Sequence, residues 1–298
     1  MIAPMVWERF GSVKNLVEPF FGSGAVLLAA PWPAKRIETV NDLDGLLCNF
    51  WRALQADSDA LAAATDWPVS ELDLHARGDW LVQRRGDLTE RLRGDPNYYD
   101  IKAAAWWVWG ACAWIGSGWA EGNAGRGVNR QLPHLGDAGQ GVNRQLPHLG
   151  SAGRDDAIRT YFSVLAGRLR DVRVCCGDWS RVTGPSPTFK NGLTAVFLDP
   201  PYCAHDRVKL YAEDSFRVAL NVQRWCVENA DNPLLRIALC GYDTDYDLPG
   251  WDCVAWKAVG GYGSQGKGRG RSNAGREVIW FSPHCLGQRQ ETLFTRSA

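Results

Sequence analysis

The sequence predicts an α/β protein: a mostly parallel sheet with helices on its faces, interrupted by a mainly helical insertion. Three observations carry this. Short strand-like runs at residues 16–20, 36–40, 172–176, 195–198 and 234–240 each lead within two residues to an acid or a glycine, and the unbroken apolar run at 195–198 reads as a strand buried on both faces. Helical patterns separate such runs in the first 57 residues and again after residue 154, the alternation that a parallel sheet requires. Between residues 58 and 154 that alternation lapses. The expected organisation is one sheet-bearing domain built from residues 1–57 and 155–298, with residues 58–154 inserted into it.

Bulk composition narrows the function classes. At 298 residues, with 45% hydrophobic and 22% charged residues, the chain can bury a large core of ordinary globular type. The formal net charge is +0, so any contact with a polyanion has to come from a local basic patch. Nine cysteines occur without any C-x-x-C spacing, which argues against a zinc ribbon or a disulfide scaffold and for reduced core thiols. No run approaches membrane-spanning length, and no leader pattern opens the chain. A cytoplasmic, soluble protein with no membrane partner is expected.

Taken in order, residues 2–10 read as a short helix ended by Gly11. A strand through Leu16-Val17-Glu18-Pro19-Phe20 runs into Phe21-Gly22-Ser23-Gly24 and the helix start Ala25-Val26-Leu27-Leu28. Strand, glycine turn and helix open a nucleotide-binding half-unit, in which glycines let backbone N–H groups approach a ligand. The next strand, from Arg36 to Val40, ends in Asn41-Asp42-Leu43-Asp44, and Asp42 lies twenty positions after Gly22. An acid at that interval is placed for ribose hydroxyls, while Asp44 suits the N-cap of a helix through residues 46–54.

Within the insertion, a polar stretch is expected to be helical from Asp73 onward, and residues 97–115 read as a buried helix. Trp106, Trp107, Trp109, Trp114 and Trp119 cluster there among the fifteen tryptophans of the chain. Core packing is the preferred reading of that cluster over base stacking. The decapeptide from Gly127 to Gly136 then recurs verbatim from Gly141 to Gly150. Two copies do not make a solenoid. Arg130, Gln131, Arg144 and Gln145 of this repeat have side chains that pair well with base edges, and a tolerated duplication in a surface loop stands equally beside that reading.

Alternation resumes with a helix over residues 155–169 and a strand from Val172 to Cys176 that leads into Gly177-Asp178-Trp179, an acid and an aromatic suited to an adenine amino group and ring face. After a polar loop over residues 180–193 comes Ala195-Val196-Phe197-Leu198-Asp199-Pro200-Pro201-Tyr202. Proline cannot continue a central strand, so a carboxylate, a rigid turn and a flat ring are left at the strand's carboxyl end, where open α/β sheets bind ligands. A loop over residues 203–214, a helix over 215–230 and a strand over 234–240 are expected next. The glycine-rich stretch carrying Lys267, Arg269 and Arg271 is the one local patch for a phosphate backbone, and a strand from Glu277 to Ser282 closes the pattern.

Four strand ends thus carry ligand-binding groups in the order FGSG, NDLD, GDW and DPPY. This combination resembles the S-adenosylmethionine-dependent DNA adenine-N6 methyltransferases of the Dam-like class, over residues 14–54 and 172–282, with the insertion in the place of a target-recognition region. The resemblance implies a Rossmann-like methyltransferase sheet, S-adenosylmethionine as cofactor, double-stranded DNA as partner, and no metal. It implies that Glu18, Phe20, Gly22 and Gly24 line the methionine side of the cofactor, that Asp42 holds the ribose and that Asp178 holds the adenine. Pro19 and Trp179 complete the expected cofactor set. Asp199 and the Pro200 carbonyl would accept hydrogen bonds from the target amino group beside Pro201, and Tyr202 would stack on an extruded base. A monomer in a prokaryotic or phage setting, nucleoid-associated, is expected, with a separately acting restriction endonuclease as its possible companion. The class carries an aromatic-Gly-Gly-Lys segment ahead of its first glycine motif, and Met1-Ile2-Ala3-Pro4 looks like the region just after it. Transfer to cytosine N4, and a non-catalytic relative that binds DNA or cofactor, are the alternative readings.

Overall fold

The computed structural model describes residues 2–31, 35–114, 119–120, 157–201, 209–256 and 276–287. Its centre is a seven-stranded sheet in the order β3-β2-β1-β4-β5-β7-β6, made of β1 (Asn15–Glu18), β2 (Ile37–Asp42), β3 (Arg173–Cys176), β4 (Thr194–Leu198), β5 (Leu235–Tyr242), β6 (Asp252–Ala255) and β7 (Glu277–Phe281). β1 pairs in parallel with β2 on one side and β4 on the other, Asn15 facing both Ile37 and Thr194. The chain order reverses at that point, and the crevice outside the strands' carboxyl ends there is the ligand position of doubly wound sheets. β7 runs antiparallel to both β5 and β6.

The unbroken apolar runs follow from burial on both faces. Leu16, Ala195, Phe197, Ala238 and Cys240 point into one core, whereas Val17, Val196, Leu198, Ile237 and Leu239 point into the other. Residue alternation along each strand divides the side chains between the two faces. The first core is covered by α1 (Ala3–Phe10), α3 (Gly45–Ala56) and α7 (Ala157–Leu169), the second by Ala219, Val222 and Cys226 of α8 (Lys209–Asn229). Arg168 of α7 locks this layer to the sheet, donating to Glu38 on β2 at 2.7 and 2.9 Å and to the Leu27 carbonyl at 2.8 Å.

The segment between β2 and β3 contributes α4 (Ser58–Thr65), α5 (Glu71–Gly94) and α6 (Ile101–Ala113). α4 and α6 place Leu61, Ala62, Ala104, Ala105 and Val108 in the same core as the sheet. Polar α5 starts at Glu71, two residues before the expected position, because the Ser70 hydroxyl caps it by accepting from the Asp73 N–H. The tryptophan cluster is core. Trp109 is fully buried and donates to the Trp67 carbonyl at 3.0 Å, and the Arg77 guanidinium stacks 4.3 Å above its ring. Trp119 packs on Gly110, where a Cβ would collide with the indole, and on Gly78, where a Cβ would meet it tightly at 3.1 Å.

Three expectations need correction. The stretch expected to be a loop over residues 203–214 is helical from Lys209 onward, so Tyr211 lies on α8 rather than in a loop; once helix nucleates on the apolar face of residues 216–226, extending it backwards adds one bond per residue. The loop over residues 180–193 holds two short 3-10 turns, Trp179–Val182 and Phe189–Asn191. β6 was not anticipated at all. Its sequence, Asp-Cys-Val-Ala, is mostly exposed and lacks an apolar run; its place is set by pairing with β7 and by an ion pair of 2.6 Å from Asp252 to the buried Arg9 of α1. Among the described residues no helix is long and apolar enough to cross a membrane.

Candidate active site

The carboxyl ends of β1, β2, β3 and β4 surround a cavity of about 470 Å³, within the range that binds small organic ligands. Its floor begins at the glycine turn after β1. Gly22 and Gly24 take φ values of +49° and +67°, a left-handed region that costs other residues strain. At Gly24 a Cβ would also meet the Phe21 ring at 2.7 Å. The following helix, α2 (Ala25–Leu28), is a single turn. The turn is held by Asp42, whose Oδ2 accepts from the Gly22 N–H at 3.0 Å and whose Oδ1 accepts from the Asp44 N–H at 2.9 Å. Burial pushes the Asp42 carboxyl up, and the bonds from the Asp44 and Gly22 N–H groups oppose that rise. Asp44 caps α3 by accepting from the Leu46 N–H at 2.9 Å, as its position at the strand end suggested.

Buried Asn41 ties the strand ends together. Its Nδ2 donates to the Pro19 carbonyl at 3.0 Å and to the Gly177 carbonyl at 2.9 Å, so the loops after β1 and β3 are set against β2. Phe20 and Trp179 stack with centroids 5.9 Å apart and planes inclined by 27°, forming an apolar wall. Asp178 is exposed at the rim, where its carboxylate accepts from the Ser180 N–H at 2.9 Å.

Two carboxylates dominate the electrostatics. Glu18 ends β1 and is 1% exposed; its Oε1 has no hydrogen-bond partner. Burial pushes its carboxyl up to about 8; the Leu27 N–H opposes the rise, the charges of Glu38 and Asp199 add to it, and Arg168 opposes it. A buried carboxylate left with an unpartnered oxygen toward a cavity is costly unless a cation or a donor meets it there. Asp199, by contrast, is exposed just after β4, followed by buried Pro200 and exposed Pro201.

The structure therefore brings Glu18, Pro19, Phe20, Gly22, Asp42, Asp178, Trp179, Asp199, Pro200 and Pro201 around one cavity. Gly24 stands behind the lining, acting through the turn conformation. Tyr202, the duplicated-loop residues Arg130, Gln131, Arg144 and Gln145, and the basic-stretch residues Lys267, Arg269 and Arg271 lie outside the described residues. Lining positions that the motifs did not single out are Ile2, Phe21, Leu43, Phe197 and Val218, together with Asn41. Asn41 had a signal, an amide at the end of an apolar strand; the others are apolar residues that nothing local distinguishes from core.

Strand order, the switch point and a glycine turn facing an acid define a Rossmann-like methyltransferase sheet. Residues 2–85, from α1 through β1, the glycine turn, β2 and α3 into α5, match the family model of the D12 class N6 adenine-specific DNA methyltransferases. No curated protein matches the chain.

Proposed function

We propose that this protein transfers a methyl group from S-adenosylmethionine to adenine N6 in double-stranded DNA, acting on a base extruded from the duplex. The observation that carries the reading is the convergence of Glu18, Asp42, Asp178 and the Asp199-Pro200 turn on one cavity at the switch point. The residues fit the cofactor. Glu18, buried with an unpartnered Oε1, suits the cationic methionine end; Asp42 suits the ribose; Asp178 and the Trp179 side of the wall suit the adenine.

When bound, S-adenosylmethionine supplies an electrophilic methyl group on a sulfonium centre. The chain's own part is to prepare the nucleophile. An exocyclic amine is weak because its lone pair is delocalised into the ring. In this reading Asp199 and the Pro200 carbonyl accept its two N–H bonds, which favours a more tetrahedral nitrogen and stabilises the positive charge that develops on it. The rigid Pro200-Pro201 backbone holds that carbonyl fixed. Tyr202 is proposed as the stacking face for the extruded base. Residues 58–154 are proposed as the target-recognition region, and Arg130, Gln131, Arg144, Gln145, Lys267, Arg269 and Arg271 as its and the basic stretch's contacts to DNA.

The test is methyl transfer from labelled cofactor to unmethylated genomic DNA, followed by nucleoside analysis. Label in N6-methyladenine is expected. Label in N4-methylcytosine, or none despite cofactor binding, would refute the assignment.

A further inference from the structure

A second cavity, of about 650 Å³, opens on the far side of Gly177 and Asp178 from the first, between the end of α5 and the end of β3. Nothing in the methyl-transfer reading uses it. Three guanidinium-bearing residues, Arg52, Arg93 and Arg181, line it together with Cys176. Arg181 donates to the Cys176 carbonyl at 2.8 Å, and Arg93 lines the same cavity as Cys176.

Behind Cys176 stands a second thiol. β2 and β3 pair with Asp42 opposite Cys176, and the Cys48 Sγ of α3 sits over that rung, 3.6 Å from the Asp42 carbonyl and 3.4 Å from the Cys175 carbonyl. Cys48 is buried, Cys176 half-buried, and the Cys48 side chain reaches the backbone of β3 beside Cys176. One sulfur thus meets a cationic opening while its partner waits beneath, an arrangement that separates an attacking thiolate from a resolving thiol.

We propose that Cys176 is a peroxide-reactive thiol and Cys48 its resolving partner, the two closing to an intramolecular disulfide beside the second cavity. In the first step the Cys176 thiolate attacks one peroxide oxygen; the S–O bond forms, the O–O bond breaks, and the departing hydroxide takes a proton to leave as water. In the second, the Cys48 sulfur attacks the sulfenic sulfur of Cys176; the S–O bond breaks, and the Cys48 proton leaves with the hydroxide as a second water. One peroxide is reduced for each disulfide formed. The electrostatics agree with the direction of attack. The neighbouring Cys48, then Arg93, draws the Cys176 thiol down to about 7 against burial and the Asp42 charge, whereas nearness to Cys176 and burial push the Cys48 thiol up.

The test uses the full-length reduced protein, hydrogen peroxide in small molar excess, alkylation of remaining thiols and peptide mass mapping. A Cys48–Cys176 linked peptide is the expected main product. Cys48→Ser should stop at a sulfenic acid on Cys176 that dimedone traps, Cys176→Ser should leave Cys48 reduced, and Arg93→Ala should slow oxidation several-fold without altering the far-UV spectrum. Oxidation of exposed Cys253 as fast as Cys176, or a Cys176 sulfenic acid that persists in the unmutated protein, would overturn the proposal.

Discussion

Two neighbouring strands end in the same way and leave their acids in opposite surroundings. β1 finishes in Glu18-Pro19-Phe20 and β4 in Asp199-Pro200-Pro201, an acid followed by a proline that stops the ladder. Both acids line one cavity. Glu18 is buried among the strand ends and the turn of α2, so its carboxyl is pushed up to about 8. Asp199 is exposed at the mouth. A carboxylate that water has left becomes a receptor for a cation, since only an opposite charge restores what desolvation removed. In the proposed function, the acid that water still reaches is the acceptor for the N–H groups of an incoming substrate. A proline follows each acid; what separates the two is depth.

That contrast can be broken most severely at the mouth. Asp199→Ala should lower kcat by about a hundred- to a thousandfold, the size of losing one preorganised charge-stabilising contact, while cofactor affinity measured by calorimetry changes little. Methylation at the unmutated rate would remove Asp199 from the reaction. At the buried acid the loss should fall on binding instead. Glu18→Gln is expected to weaken S-adenosylmethionine by about tenfold, which corresponds to about 1.4 kcal/mol, and calorimetry at fixed pH reads it.

The pH dependence sharpens the comparison further. Below about 8 the Glu18 carboxyl of the folded protein holds its proton, and binding a cation expels it, so cofactor affinity should rise as pH approaches 8 and level off above it. Proton release would show as a buffer-dependent binding enthalpy. Stability has the opposite sign. The folded-state value is raised above the ordinary 4.5, so the folded protein binds more protons than the unfolded chain between those limits. The stabilisation is complete below about 4.5 and is lost as pH rises to about 8. Thermal melts should therefore fall across that window in the unmutated protein and fall less in Glu18→Gln; parallel curves would contradict the burial argument. The smallest effect belongs to the turn. Gly24→Ala, forced to φ +67° against the Phe21 ring, should cost about 1–2 kcal/mol of stability in denaturant titration, with the Asp199 side of the cavity unaffected.

How much of this was legible depends on how local the cause is. The strand ends, the glycine turn, the cap at Asp44 and the core tryptophans of α6 follow from rules that act over a few residues, and the match over residues 2–85 covers the first two strand ends, the glycine turn and that cap. β6 escaped because an exposed strand is specified by its partner rather than by its own residues. The walls supplied by Ile2, Phe197 and Val218 escaped because apolar residues facing a cavity read like apolar residues facing a core.

The sequence by itself determined the order of the strands' endings and the chemistry at each, because proline, glycine and a following acid act where they stand. Only the tertiary structure decided which of those acids lost its water. Glu18 and Asp199 carry the same proline after them, yet burial, with Glu38 adding to it against the Leu27 N–H and Arg168, pushes Glu18 up to about 8, while Asp199 is exposed. The apposition of Cys48 with Cys176, 128 positions apart in the chain, was likewise invisible until α3 lay over the end of β3. Burial is a property of neighbours, and the neighbours are distant in sequence.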